Sequence, residues 1–366
     1  MSEIKVNSIK GVGASSAAIT VNNTDGSCAV NNTQRQGRNL IINGGMNVAQ
    51  RQSASTSTQG YGTVDRFKKI GSGLGNTFSQ EQITLSSSDT PYSSGFRKAF
   101  RVSQDQAGTA NAAGAIDFSH YIEAQNLACS GWNYTSASSK ITLQFWFRAS
   151  TNQTFYGVLY TPDGTVQSYP FSFTASGNNA WTKITHTIPG NSNITINNDS
   201  GTGLILYLIP FYGTDYTDNS KSVNGWSAHS TNFCPDMAST WLTAGASTFD
   251  VTGMQLEVGS FATDFEHEPE YVTFPKCQRY FQYWYHSVRF PNTSSQNHVH
   301  YHFVTPMRAA PTVVRTGDQA GSYESGSTTG LHVGNSQYKY YYSGLLSYGN
   351  SSSNAVGGYG TLSAEL

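Results

Sequence analysis

Through residues 38–266, apolar and polar residues alternate with a period of two in short runs, separated by clusters of Gly, Asn, Asp and Pro. In SSKITLQFWFRAS, Ile141, Leu143, Phe145 and Phe147 fall on one face of an extended segment, and Thr142, Gln144, Trp146 and Arg148 on the other. That is the periodicity of a strand. RNLIING, TFYGVLYT, WTKITHTI, GLILYLIPFYG and TFDVTGMQLEV read as further strands, and no amphipathic helical repeat of comparable quality interrupts them. Many strands, frequent polar turns and no intervening helices predict an all-β fold, an antiparallel jelly-roll β-sandwich over 38–270.

The flanks behave differently. Residues 1–37 are polar and alternating, with Asp25-Gly26 a turn dipeptide between two strand-like runs. The segment is too short to bury a core of its own, so it is expected to act as an attachment arm. At PEYVTFPKCQRYFQYWYH the alternation breaks, and Pro275 is placed to open a helix over Lys276–Tyr285, although the aromatics there favour strands. Residues 271–290 are therefore expected to be a short helical connector, and 291–366, with renewed strands and Gly/Ser turns, a smaller β-domain. GMQLEVGSFATDFE reads as the closing strand of the sandwich.

Composition narrows the function. Charged residues are 12% of the 366 and the formal net charge is −1, which leaves no basic surplus to neutralise phosphates and argues against nucleic acid. A surface poor in charge and rich in Asn, Ser, Thr and Tyr suits neutral sugars, and equally a surface buried against copies of itself. No segment approaches the length of a membrane span, and MSEIKVNSIK lacks the apolar core of a signal peptide, so no membrane insertion or general export is expected. Cys28, Cys129, Cys234 and Cys277 form no CxxC pair and are expected to be free buried thiols.

Four ordered blocks carry a resemblance. RNLIINGGMNVAQRQ with GYGTVDRF, FSHYIEAQNLACSGWN with SSKITLQFWFRAS, FDVTGMQLEVGSFATDFEHEPE with KCQRYFQYW, and FVTPMRAAPTV look like the tail-fibre and minor structural proteins of tailed bacteriophages. The likeness spans about residues 38–315; beyond it the chain matches nothing in that pattern. It implies a jelly-roll domain similar to carbohydrate-binding modules. It also implies a homotrimer whose N-terminal arm docks on other virion tail proteins while its C-terminal end faces bacterial surface polysaccharide. The chain would then be made in the host cytoplasm and reside in the virion. Tyr280, Phe281 and Trp284 would pack near the threefold axis.

His298, His300 and His302 share a strand face by spacing. The spacing resembles the His-x-His strands with which trimeric phage fibres and spikes hold an axial iron, so the three are either axial ligands or a solvent-facing or interchain hydrogen-bonding histidine face. Structural calcium, known from similar sugar-binding sandwiches, has no identifiable acidic loop here. Tyr338, Tyr340 and Tyr342 could form a stacking platform for sugars, or simply core or interface. The same choice applies to Trp132, Tyr134, Trp181, Trp226 and Trp241 in the sandwich, while Trp146 faces away from the core. Asp65 and Arg66 are expected to form a buried ion pair. Glu257, Asp264, Glu266, Glu268 and Glu270 are the only dense carboxylates, and nothing places two of them across one glycosidic bond; Glu257 reads as strand and the rest as a solvated turn. Gly71–Gly75 lacks the spacing of a dinucleotide loop.

The reading is a non-enzymatic, trimeric tail fibre that recognises host glycan. A purely structural virion adaptor and a tail-associated depolymerase are its rivals.

Overall fold

The structure is a computed structural model that describes residues 8–9, 19–21, 28–30, 37–289, 297–317, 328–332, 341–348 and 355–366; side chains are described throughout 37–285 and at fewer positions elsewhere. At the N-terminus β1 (Ser8–Ile9), β2 (Ile19–Val21) and β3 (Cys28–Val30) form a small antiparallel sheet, in which Ile19 pairs with Val30.

The body is built from eleven strands: β4 (Phe67–Ser72), β5 (Phe78–Thr84), β6 (Lys98–Gln104), β7 (Ala115–Glu123), β8 (Lys140–Ala149), β9 (Thr154–Thr161), β10 (Gln167–Thr174), β11 (Thr182–Pro189), β12 (Thr202–Tyr212), β13 (Ser227–Ala228) and β14 (Ser247–Val258). They form two antiparallel sheets, one ordered β13-β10-β9-β12-β7-β4 and the other β11-β8-β14-β6-β5. The chain crosses repeatedly between the sheets, which makes the body a β-sandwich of jelly-roll type, as the alternation predicts. Three single-turn helices, α1 (Thr90–Ser93), α2 (Ala124–Ala128) and α3 (Thr240–Thr243), sit in the connections.

The inward positions of the strands supply the core. Phe145, Phe147, Phe155, Phe171, Phe118, Phe100 and Phe249 are all at most 1% exposed, and their rings meet edge to face, as for Phe147–Phe173 at 4.9 Å and Phe155–Phe249 at 5.1 Å. Such contacts add to the burial of large apolar area that holds sheet on sheet.

Two separated sequence blocks dock on one another. Leu40 N–H donates to Leu256 O at 2.8 Å and Met254 N–H to Gly44 O at 2.9 Å, while Asn39 bonds Met254 O and Leu256 N through its side chain. A Cβ at Gly44 would lie 2.0 Å from Met254 O, so only glycine lets the backbones approach this closely. Opposite it, β14 carries a bulge between Thr252 and Gln255, where Gly253 has φ +63°.

Past β14 the chain returns over the outer face of its own sheet. Glu257, 2% exposed, accepts from Gln255 Nε2, Thr263 N and Thr263 Oγ1 and lies 3.4 Å from Arg38 Nε. Glu266 takes the Gly37 and Asn39 amides. Glu257 on the closing strand is thus buried and Glu266 partly so, each satisfying backbone donors that would otherwise be orphaned, whereas Asp264 and Glu270 are exposed, as expected of a solvated turn.

The connector also differs from expectation. The helix is α4 (Glu270–Gln278), starting after Pro269 and containing Pro275; Glu268, just before it, pairs with Lys276. The aromatic run after it is β15 (Phe281–Arg289), a strand. Its β-favouring side chains find a long-range partner in β20 (Ala355–Ser363), with Phe281 opposite Ser363 and Tyr285 opposite Tyr359. Between them lie β16 (Asn297–Met307), β17 (Thr312–Gly317), β18 (Thr328–His332) and β19 (Tyr341–Tyr348), giving two three-stranded sheets, β15-β20-β17 and β16-β19-β18. The smaller C-terminal β-domain therefore begins with β15.

Candidate functional site

The outer face of the six-stranded sheet carries a row of tyrosines. In β7, Ile116, Phe118 and Ile122 point inward, which turns Asp117, Ser119 and Tyr121 outward; by the same alternation Tyr207 of β12 and Tyr156 and Tyr160 of β9 face out. Register then brings them together. Ile205 lies between Tyr121 and Tyr160, and Tyr207 lies between Ser119 and Val158. The result is an arc Tyr121–Tyr207–Tyr160 across three adjacent strands, each ring half-buried. Tyr160 and Tyr207 rings are 6.3 Å apart and nearly perpendicular. Lys68 of β4 reaches across the end of the arc, its Nζ 4.1 Å from the centre of the Tyr121 ring.

The segment 213–236 walls the other end. Its β13 pairs with β10, His229 N–H donates to Val166 O, and Phe233 and Cys234 pack on Val158, Ile209 and Tyr212. Phe233 stacks 6.2 Å from Tyr160, and the His229 ring lies 4.8 Å from Tyr160. Burial and the nearby Lys221 charge lower His229 to about 4, so near neutral pH its imidazole is uncharged, with Nδ1 lacking a protein partner. Asp117 is raised to about 7 by burial; Tyr212 Oη donates to its Oδ2 at 2.9 Å while Oδ1 has no partner. Ser119 Oγ and Ser168 Oγ, also on this face, have none. The face thus combines half-buried aromatic planes, of the kind that can stack on the apolar face of a sugar, with unpartnered polar atoms buried beneath them.

The outer face of the five-stranded sheet is of another kind. Asp250, fully buried, lies between its cross-strand neighbours Arg101 and Arg148 and pairs with both, at 2.6 and 2.7 Å. Arg148 also pairs with Asp89 at 2.9 Å and lies over the Trp181 ring, whose N–H donates to Asp89.

Several sequence expectations meet this geometry. Trp132 and Trp241 are core, and Trp226 gives its N–H to Pro189 O. Tyr280, Phe281 and Trp284, expected to pack against neighbouring chains, are at most 4% exposed within one chain. Tyr280 lies under the Arg66 guanidinium at 3.4 Å and donates to Glu123, and Phe281 stacks under Arg51 at 3.7 Å. Their burial at the seam between sandwich and C-terminal domain leaves no ring surface for a threefold contact, so they are corrected to intrachain packing. Asp65 and Arg66 are both buried but do not pair: Asp65 accepts from Gln50, whereas Arg66 pairs with Glu365 near the C-terminus. Arg66 at φ +72° points away from Asp65 and into that seam. Cys129, Cys234 and Cys277 are free, and Cys129 is exposed rather than buried.

His298, His300 and His302 occupy alternate positions of β16, opposite Ser347, Leu345 and Ser343; His302 is exposed, and the side chains of the other two lie outside the described residues. Tyr338 and Tyr340 also lie outside the described residues, while Tyr342 is in β19 with its side chain outside the description. Among the described residues no group of three or more His, Cys, Asp or Glu is gathered as a metal site. The tyrosine arc was missed in sequence, although the alternation in AIDFSHYIE, GLILYLIPFYG and TFYGVLYT already turned Tyr121, Tyr207 and Tyr160 outward.

No family model matches the chain, and no curated protein matches it. Solved structures do. The enzymatically active domain of tailspike protein 4 of bacteriophage CBA120 aligns at 10% identity and a TM-score of 0.32, over 61% of this chain and 22% of that one. The carbohydrate-binding module TmCBM61, in complex with β-1,4-galactotriose, aligns at 10% identity and 0.31, over 61% and 99%. The family 11 module of a Clostridium thermocellum cellulosomal cellulase aligns at 11% and 0.28, over 60% and 99%. Likenesses this distant carry no argument for ligand or role.

Proposed function

We propose that this protein is a non-enzymatic glycan-binding appendage of a bacteriophage virion, a tail fibre that assembles as a homotrimer and contacts bacterial surface polysaccharide. The observation that carries sugar binding is the arc Tyr121–Tyr207–Tyr160 on the outer face of the six-stranded sheet, flanked by Lys68 and neutral His229. The ordered sequence blocks that resemble tail-fibre proteins support the virion assignment, with 1–37 as the docking arm. Three copies would multiply weak sugar contacts into useful avidity. In this reading no step of bond cleavage is required.

The test is adsorption competition with the purified full chain, its assembly mass measured by light scattering. Dose-dependent slowing of phage attachment, reduced by Tyr207→Ala in a protein of unchanged mass and melting, is the expected outcome. A folded trimer that neither slows attachment nor binds host polysaccharide would sink glycan recognition and leave a structural adaptor. Release of reducing ends from the polysaccharide would instead establish a depolymerase.

A further inference from the structure

On the opposite side of the sandwich, a cavity of about 280 Å³ opens over β8 between the return segment 259–267 and the ion pairs of Asp250. Its size equals about nine water molecules at ~30 Å³ each, room for one six-membered sugar ring. The position follows from the outward residues of β8. Thr142 and Gln144 lie under the return segment, through Thr142 Oγ1 to Gly259 O at 2.9 Å and Gln144 Nε2 to Thr263 O at 2.6 Å. Arg148 is held by Asp250. Between them Trp146 is only partly buried, with Lys183 of β11 as its cross-strand neighbour.

The lining has a definite hydrogen-bonding sense. Gln144, 1% exposed, lines the cavity, and its Oε1 has no partner. His267 has Nε2 within 2.8 Å of Ser94 O; in the neutral ring Nε2 then donates, which leaves Nδ1 as an acceptor. The Asp264 carboxylate and the Lys183 ammonium both line the cavity and form no ion pair among the described residues. Three residues with acceptors and one donor thus line the cavity together with Trp146. A ligand that fits must supply mostly donors and one apolar face, and because the Asp264 and Lys183 charges offset one another across the lining, a neutral ligand is favoured over a charged one. The backbone here is already fixed by Glu266 N to Gln255 Oε1 at 2.7 Å, so the site is preorganised.

We infer that this cavity is a second saccharide site, independent of the tyrosine arc, that takes a single neutral pyranose stacked on Trp146 with its hydroxyls donated to Gln144, Asp264 and His267 and one oxygen accepting from Lys183.

The test uses the full chain labelled with 5-fluorotryptophan, whose six tryptophans give separate fluorine resonances, with Trp146 assigned by Trp146→Phe. The probes are D-glucose, D-galactose, D-mannose, N-acetyl-D-glucosamine and D-glucuronate. At least one neutral sugar should shift the Trp146 resonance saturably in the millimolar range, with D-glucuronate weaker. Lys183→Ala, on an exposed side chain that carries no fold, should weaken that sugar about fivefold, or about 1 kcal/mol. Tyr207→Ala should leave the shift unchanged. The inference is overturned if no neutral sugar moves the Trp146 signal, if D-glucuronate alone does, if all six resonances drift together, or if Tyr207→Ala abolishes the shift.

Discussion

The two outer faces of the sandwich are made by the same alternation and end up chemically opposite. On the six-stranded sheet the outward positions are tyrosines, with Lys68 the charged neighbour at the end of the arc; on the five-stranded sheet they are a buried carboxylate clamped between two arginines, a clasped return segment and one tryptophan over a cavity. Where Asp250 is clamped by Arg101 and Arg148 the face is committed to stability, because those charges have their partners in place. A face of half-buried rings with unpartnered polar atoms beneath is not satisfied by the protein alone. The difference teaches where recognition is to be sought on a sheet: at outward positions that the chain leaves partly solvated, not at those with the most functional groups.

The largest break in this contrast should come from Asp250→Ala. It leaves Arg101 and Arg148 without their shared partner, and removal of one member of a buried charge cluster costs about 3–5 kcal/mol. Because both arginines are partly exposed, the lower end is expected, read as a lower urea midpoint with polysaccharide binding retained by the folded fraction.

Next is the acid hidden at the edge of the tyrosine face. Asp117 has a folded value of about 7 against an ordinary 3.8, so between those pH values the folded chain holds a proton that the unfolded chain releases. Stability contributed by this group therefore falls as pH rises from about 4 to about 7, by at most about 4 kcal/mol for a displacement of about three units. Asp117→Asn mimics the protonated acid and should flatten the fall, seen as a melting temperature above wild type at pH 8 and near it at pH 4. His229, lowered to about 4, works in the opposite sense and costs stability as pH falls below 6.5, but it is common to both proteins and cancels in the difference.

Tyr207→Ala should reduce affinity for host polysaccharide about tenfold, equivalent to about 1.4 kcal/mol, by isothermal titration. Loss of the same size from a ring on the five-stranded face, with Tyr207→Ala silent, would reverse the assignment of the faces. The smallest effect is expected of Tyr160→Phe, which keeps the ring; affinity and stability should each stay within about 0.5 kcal/mol.

Much of the fold was legible. The all-β class, the closing strand in TFDVTGMQLEV and the inward side of β8 follow from local alternation. The connector was misread because YFQYWYH has no helical or strand decision of its own; the pairing of β15 with β20, seventy residues on, made it a strand. Glu266 looked solvated because nothing near it in sequence reveals the amides of Gly37 and Asn39 that it satisfies.

What the sequence by itself determined is the side of each strand on which a residue lies, since that depends only on a period of two along a pleated backbone. It also determined the shortage of charge, 12% of residues. Tertiary structure alone decided that the strands bearing Tyr121, Tyr207 and Tyr160 are neighbours, that Arg66 turns to Glu365 and not to Asp65, and that segment 259–267 lies over β8 and leaves Trp146 only partly buried beside a cavity. The reason is physical: facing is a local property of one strand, whereas adjacency and cover are set by the burial of many residues at once.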